Sequence, residues 1–277
     1  MDTTKVVDVI EEHHEESLGD FILHHLKDSK EWNLFGYHIH LPTFKPVNLF
    51  GLEIDFSITL HVVMMWFAAI LLIILLVLAF RKNKRSPLAV IFESIYLFIR
   101  DEISIPNLGN KYGKQLAPFL STLFLFILTC NLMGIIPIFV TVTGNISVTA
   151  SLAIVTFFMI QGYGIKERGF LGYFKSLIPH GVPWFLLPIL LPIEILGLFT
   201  KPFALAMRLF ANMIAGHTVI FALLGLIIVL GTVFISPVSV GFALFINLLE
   251  LLVALLQAYI FTILSALFIG MAAVGEH

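Results

Sequence analysis

Hydrophobic positions in this chain gather into long unbroken runs separated by short polar stretches, the pattern of helices packed in lipid rather than the period-two alternation of a barrel. Residues 58–80, about 23 positions without Asp, Glu, Lys or Arg, are long enough to cross a bilayer once, with His61 and Trp66 near the start, where interfacial residues belong. The run stops at Arg81-Lys82-Asn83-Lys84-Arg85. From Pro87 to about Ile103, Glu93, Arg100, Asp101 and Glu102 interrupt apolar positions, which predicts an amphipathic interfacial helix. Pro106 to Lys114, with Gly109 and Gly113, predicts a loop. Pro118–Val142, with Pro137 near its end, and Val148 to about Ile165 predict two further crossings. The uncharged turn Thr143-Gly144-Asn145-Ile146-Ser147 joins them.

Two longer runs close the chain. Phe203–Ile235 and Val238–Val274 would extend about 50 and about 55 Å as helices, against a hydrocarbon core of about 30 Å. Helices of that length must tilt, curve or lie partly flat, and Ser236-Pro237 between them predicts a hairpin. Ahead of them, Val182–Thr200 is apolar but carries Pro183, Pro188, Pro192 and Glu194, followed by Lys201-Pro202. That much proline argues against a straight span and predicts an entry segment leading into the next helix. The expected fold is therefore an all-α polytopic membrane protein. It has about five crossing helices plus an interfacial amphipathic helix, the last two crossings long, tilted and paired.

Composition agrees: of 277 residues 59% are hydrophobic and 12% charged, 27 are Phe, and the mean hydropathy is +1.00, values of a multi-span membrane protein in contact with lipid. The net charge of −2 carries little information, because the charges are unevenly placed, and nucleic acid is not expected as a partner. The basic stretches, Arg81–Arg85 and Lys166, Arg168, Lys175, fall at alternate ends of the predicted crossings. The positive-inside rule then puts the N-terminus outside and the C-terminus in the cytoplasm. Residues 1–57 form a polar, His-rich tail and 58–277 a membrane domain, of which 180–277 is the hairpin. The start lacks the basic region and short apolar core of a signal peptide, so insertion is expected to depend on the first crossing. His13, His14, His24, His25, His38 and His40 lie in the tail, and Glu-Glu-His-His-Glu-Glu at 11–16 is a candidate metal run without an evident fixed geometry; no metal or other cofactor is expected. The single Cys130 reads as core packing. No internal repeat is evident, which weighs against a transporter of inverted repeats.

The chemistry concentrates in the hairpin. Its first arm carries Arg208, Asn212 and His217; its second carries Asn247, Glu250 and Gln257. An arginine near a bilayer centre costs roughly 2.5–3.5 kcal/mol on insertion scales, so Arg208 calls for a function or a partner. Antiparallel pairing about a turn near Val233 brings Arg208 level with Gln257 and His217 level with Glu250. Asn212 shares a face with Arg208, whereas His217 lies about 180° around the helix. Histidine and glutamate can both be tuned toward neutrality by burial and by each other, which suits a proton relay; arginine stays charged, which suits an electrostatic gate. Arg208 is thus the candidate gate, and His217, Glu250, Asn212, Gln257 and Glu194 are the candidate proton path; the plainer alternatives are a snorkelling or buried-acid-paired Arg208, a structural His217–Glu250 ion pair, and ordinary interhelical hydrogen bonds at Asn212 and Gln257.

Lys201-Pro202 followed by Leu205-Ala-Met-Arg208-Leu-Phe-Ala-Asn212-Met-Ile-Ala-Gly216-His217, and then Leu256-Gln257-Ala258-Tyr259-Ile260-Phe261, closely resembles subunit a of F-type ATP synthases. Asn131-Leu-Met and Asn145-Ile-Ser-Val-Thr are similar to that family's earlier helices. The resemblance covers about 60 to 277, with the strongest motifs after 194. It implies a stator proton-channel subunit in a bacterial plasma membrane, beside a rotating c-ring of proteolipid hairpins with intramembrane carboxylates. The peripheral-stalk b subunits and the rest of the ATP synthase would be further partners. It implies that Arg208 faces the ring and separates two aqueous half-channels, that His217 and Glu250 line the outer one, and, less specifically, that Glu194 lies near the cytoplasmic one. Many bacterial members carry the acid and the histidine at these two positions in the opposite order, and a relay does not require a fixed order. The translocated ion would be H⁺, with Na⁺ left open.

ATP chemistry itself needs a phosphate-binding loop, and no Gly-x-x-x-x-Gly-Lys-Ser/Thr occurs, so this chain is not expected to be catalytic on its own. The rival reading is a stand-alone secondary transporter or channel in which Arg208 binds an anionic substrate. An intramembrane enzyme is a weaker rival, for want of a nucleophile motif or cofactor fingerprint.

Overall fold

The computed structural model describes residues 31–34, 37–42, 47–49, 52–54, 57, 59–81, 86–136, 139–176, 183–230 and 236–273. The 11–16 acidic-histidine run, Lys82–Arg85, Pro137 and the hairpin turn near Val233 lie outside them. Among the described residues five helical segments are long and apolar enough to cross a membrane, so the chain is an all-α polytopic membrane protein in its apolar part. Ahead of that part lie two short antiparallel hairpins that the polar character of the first 57 residues does not predict. Strand β1 (Glu31–Leu34) pairs with β2 (Tyr37–His40), Trp32 opposite Ile39, and β3 (Val47–Leu49) pairs with β4 (Leu52–Ile54). Glu-Trp-Asn-Leu and Tyr-His-Ile-His do alternate polar and apolar residues, the strand period on a scale too short to stand out.

Helix α1 (Leu60–Phe80) buries Leu60, His61, Met64, Ala68, Leu72 and Ala79 along one side and exposes Trp66, Phe67, Ile70, Ile73, Ile74 and Val77 on the other. Large apolar side chains facing outward are what a lipid solvent favours. Helix α2 (Pro87–Phe98) starts cleanly because Pro87 occupies the first turn and Ser86 Oγ accepts from the Ala89 amide at 3.1 Å. The stretch expected to be helical from Pro87 to about Ile103 is helical, whereas the expected loop after it takes a different form. After α2 the backbone widens into a π-helical turn at Ile99–Ser104 and enters α3 (Ile105–Ile135), with a break at Gly109. Gly109 has φ +72°, a conformation that glycine adopts without steric cost. Ser104 Oγ donates to the Gly113 carbonyl at 2.7 Å across the break, so residues 106–114 are helix on both sides of one kink rather than an open loop.

A 3₁₀ turn (Val142–Gly144) leads to α4 (Ile146–Arg168), capped by Asn145, whose Oδ1 accepts from the Ser147 amide at 2.8 Å. The short α5 (Phe170–Ser176) and a 3₁₀ turn (Trp184–Leu186) precede the two long helices, α6 (Leu187–Leu230) and α7 (Ser236–Ala273). Here the proline-rich stretch departs from expectation. It is not a separate entry segment but the first part of α6, which runs continuously through Pro192 and Pro202. Pro188 falls in the first turn, where its missing N–H has no partner to lose; the two interior prolines each forfeit one backbone bond, which flanking helices make tolerable in membrane bundles.

Helices α6 and α7 pack against each other, α7 against α3, and α4 against both long helices. The central core joins Leu116, Leu120, Phe124 and Ile127 of α3, Ile160 of α4, Leu205 and Leu209 of α6, and Phe261 and Ile269 of α7. A second cluster ties α1 to α3 through Met64, Ala68, Cys130 and Met133, where Cys130 is fully buried. The buried face of α7 alternates bulky residues with Ala254, Ala258, Ala266 and Gly270, which lets backbones come close. At Gly270 a Cβ would collide with the Asn107 carbonyl oxygen beside the Gly109 break. Gly270→Val should therefore lower the stability of the solubilised protein by about 2 kcal/mol or more. Thermal unfolding in detergent reads this, and an unchanged midpoint would mean that α3 and α7 do not meet at that point.

Candidate functional site

Helix α6 shows two characters along its length. On one side Leu205, Ala206, Leu209 and Met213 are buried; on another, Ala204, Arg208, Ala211, Asn212, Ala215 and Val219 are exposed, recurring at intervals of three and four residues. Arg208 thus stands in a stripe of small residues, and among the described residues it makes no hydrogen bond and no ion pair. Beside the stripe, α7 exposes Leu248, Leu249, Leu251, Leu252, Leu255 and Leu256. Apart from Asn212, the exposed side chains of the stripe around the arginine are apolar.

One turn beyond Arg208, Asn212 Nδ2 donates to Gln257 Oε1 at 2.9 Å, and Gln257 is otherwise buried. Sequence spacing puts Arg208 level with Gln257; the bond Gln257 makes is to Asn212, so the glutamine is satisfied without the arginine. His217, on the opposite side of α6 from Arg208, turns toward α7 instead. Its Nδ1 lies 3.4 Å from Glu250 Oε1, with side chains 14% and 3% exposed. Neither Glu250 oxygen accepts a hydrogen bond among the described residues, so His217 is the ionisable group that stands beside this buried carboxyl. Gly216 makes the approach possible, since a Cβ there would sit 2.5 Å from Glu250 Oε1.

The other ring nitrogen of His217, Nε2, is in contact with Thr141 Oγ1, just before the 3₁₀ turn. Two residues on, buried Thr143 donates to Asn131 Oδ1 at 2.8 Å, and Asn131 Nδ2 donates to the Ala254 carbonyl of α7 at 3.2 Å. Four elements therefore meet around the His217–Glu250 pair. Glu194 is not among them: it is half-buried, fourteen residues before Arg208, roughly 20 Å along α6. Asn247 is also half-buried, and no bond ties it to the cluster among the described residues. Thr141 and Thr143 escape a sequence reading because they sit where an apolar run fades into a turn. Their signal is two hydroxyls two residues apart at the end of a membrane segment. Among the described residues no three His, Cys, Asp or Glu side chains gather as a metal site.

The Asn212–Gln257 bond should show as a coupling of about 0.6 kcal/mol in a double-mutant cycle of Asn212→Ala and Gln257→Ala, the usual size for interhelical hydrogen bonds in membranes. Unfolding free energies in mixed micelles supply the four corners; strictly additive effects would mean the two side chains are not bonded.

A family model described as ATP synthase A chain matches residues 62–270. ATP synthase subunit a of Myxococcus xanthus is 52% identical over 230 residues, covering 81% of this chain and 76% of that protein. ATP synthase subunit a 2 of Chlorobium luteolum is 48% identical over 274 residues, covering 95% of this chain and 78% of its own length. ATP synthase subunit a of Chloroherpeton thalassium is 48% identical over 265 residues, with 92% and 77% covered. A match across most of the chain, at identities near one half, on the segment that contains every residue of the hairpin site shows that this protein belongs to the ATP synthase A chain family.

Proposed function

We propose that this integral, multi-pass membrane subunit is the stator that passes protons to and from the carboxylates of a rotating ring of proteolipid hairpins, coupling proton flow to ATP synthesis. Membership of the family makes it a membrane subunit of an ATP synthase; the observation that carries the finer reading is Arg208. A permanently charged guanidinium, exposed on an apolar surface with no described partner, is expensive unless an anion arrives there. The small side chains at 204, 211 and 215 would let another helix approach closely enough to present a carboxylate.

Arg208 attracts a ring carboxylate in its ionised form and releases its proton, while its own charge repels protons crossing directly. That creates two half-channels. His217 and Glu250 relay protons through the outer one, with Asn212 and Gln257 holding the hairpin arms in register, and Glu194 serves the cytoplasmic side. A proton crossing the full potential gains about 2.3 kcal/mol per 100 mV, which drives rotation only when no path bypasses the ring. The N-terminus lies outside and the C-terminus in the cytoplasm of a bacterial plasma membrane, residues 1–57 forming the outer segment and 58–277 the membrane domain. Nucleotide chemistry belongs to other chains of the complex, the peripheral-stalk b subunits are partners alongside the ring, and no bound cofactor is required.

The stand-alone anion transporter calls for an enclosed polar site around Arg208. A groove of about 550 Å³ between α4 and α6 is lined by Phe157, Phe158, Phe199, Phe203 and other residues that are apolar except Thr200, with no charged group and without Arg208, so it offers such a substrate no counter-charge.

In the assembled enzyme, Arg208→Lys should reduce proton-driven ATP synthesis by at least about a hundredfold, because an ammonium is differently hydrated and can lose its proton. Synthesis at the native rate would remove the gate. His217→Ala and Glu250→Ala should each slow proton flux by about tenfold or more. Native flux in both would leave the pair as a structural ion pair.

A further inference from the structure

We propose that Thr141 is a positioning residue for His217, holding the imidazole so that Nδ1 stays turned toward Glu250 whether or not the ring is charged. The proposal rests on the relay reading of His217 and Glu250. Its observation is separate: the contact of Thr141 Oγ1 with His217 Nε2 occupies the nitrogen that Glu250 does not.

Most hydroxyls inside the long helices behave differently. Thr122, Thr129, Ser151, Thr156, Thr262 and Ser265 each return their O–H to the carbonyl four residues back in their own helix, the default that satisfies a hydroxyl in a membrane segment. Thr141 and Thr143 lie outside any α-helix and reach across elements. The segment carrying them is fixed from several sides. The Gly144 amide donates to the Thr141 carbonyl at 3.1 Å, and Thr143 is buried and bonded through Asn131 to the α7 backbone one turn from Glu250. The Thr141 side chain also packs onto Gly134 of α3, where a Cβ would come within 2.8 Å of its methyl and 3.0 Å of its hydroxyl. A threonine held this firmly keeps its oxygen at one point in space.

The chemistry of a hydroxyl suits that point. It donates to an imidazole nitrogen that lacks a proton and accepts from one that carries a proton, so the contact survives both states of the ring. An amide or a carboxylate there would favour one ring state or add charge, and an apolar side chain would hold neither. With Nε2 anchored, the ring is held against a flip that would put carbon atoms where its nitrogens stand, and Nδ1 keeps facing Glu250 from one proton to the next.

Three variants of the complete ATP synthase in proteoliposomes test this, with rates normalised to assembled complex. Thr141→Val keeps the shape and loses the hydroxyl, and should slow ATP synthesis driven by an imposed proton gradient by about tenfold. Thr141→Ser keeps the hydroxyl and should retain at least about half the native rate. Adding Thr141→Val to His217→Ala should slow it no further than His217→Ala alone, because Thr141 acts only through the ring. A native rate in Thr141→Val, a defect in Thr141→Ser equal to that of Thr141→Val, or a further loss in the double variant would each overturn the assignment. A native rate in His217→Ala would instead overturn the relay on which it rests.

Discussion

A charge or an unpaired polar group inside an apolar solvent must be answered by another group, and that constraint organises this protein. Backbone groups are answered within helices that span the apolar part, and most side-chain hydroxyls by carbonyls of their own helix. Gln257 is answered by Asn212, and Asn131 by Thr143 and the Ala254 carbonyl. Once these are paired off, Arg208 remains on the surface without a described partner, and Glu250 remains buried beside a histidine that is itself only part-buried. Both groups are ones the proposed mechanism uses.

Their separation follows from helix geometry. Arg208 and His217 share one helix, nine residues apart, and so face opposite ways: one outward over small residues, the other inward to α7. Close packing lets the inward site exist. Gly216 leaves room for the Glu250 carboxyl and Gly134 leaves room for Thr141, so positions without a side chain shape a polar pocket in an otherwise bulky core. The length of α6 and α7 puts both Arg208 and the His217–Glu250 pair on a single hairpin, where the proposed gate and relay would lie together.

Much of this was legible in the sequence. Unbroken apolar runs gave the crossings, because length and hydropathy are what lipid selects. Counting residues about the hairpin turn set His217 level with Glu250, since an antiparallel pair has only one free parameter, its register. Proline misled: a residue that ends helices in water is carried inside α6, where neighbours share the cost. The 106–114 loop was misread for a related reason, since Gly109 alone absorbs the change of direction and helix resumes on either side. Thr141 is marked in the sequence only by its spacing from Thr143, and its contact with His217 spans 76 positions, too far for that local pattern to name the partner.

In the proposed mechanism the Arg208 face of α6 meets a moving carboxylate. Ala211 lies on the same exposed stripe, three residues from Arg208, whereas Ile154 is exposed on α4. In membranes containing the assembled enzyme, a cysteine at Ala211 should form a disulfide with a cysteine placed beside the intramembrane carboxylate of the proteolipid, and one at Ile154 should not. Cross-linking at Ile154 but not at Ala211 would contradict the account.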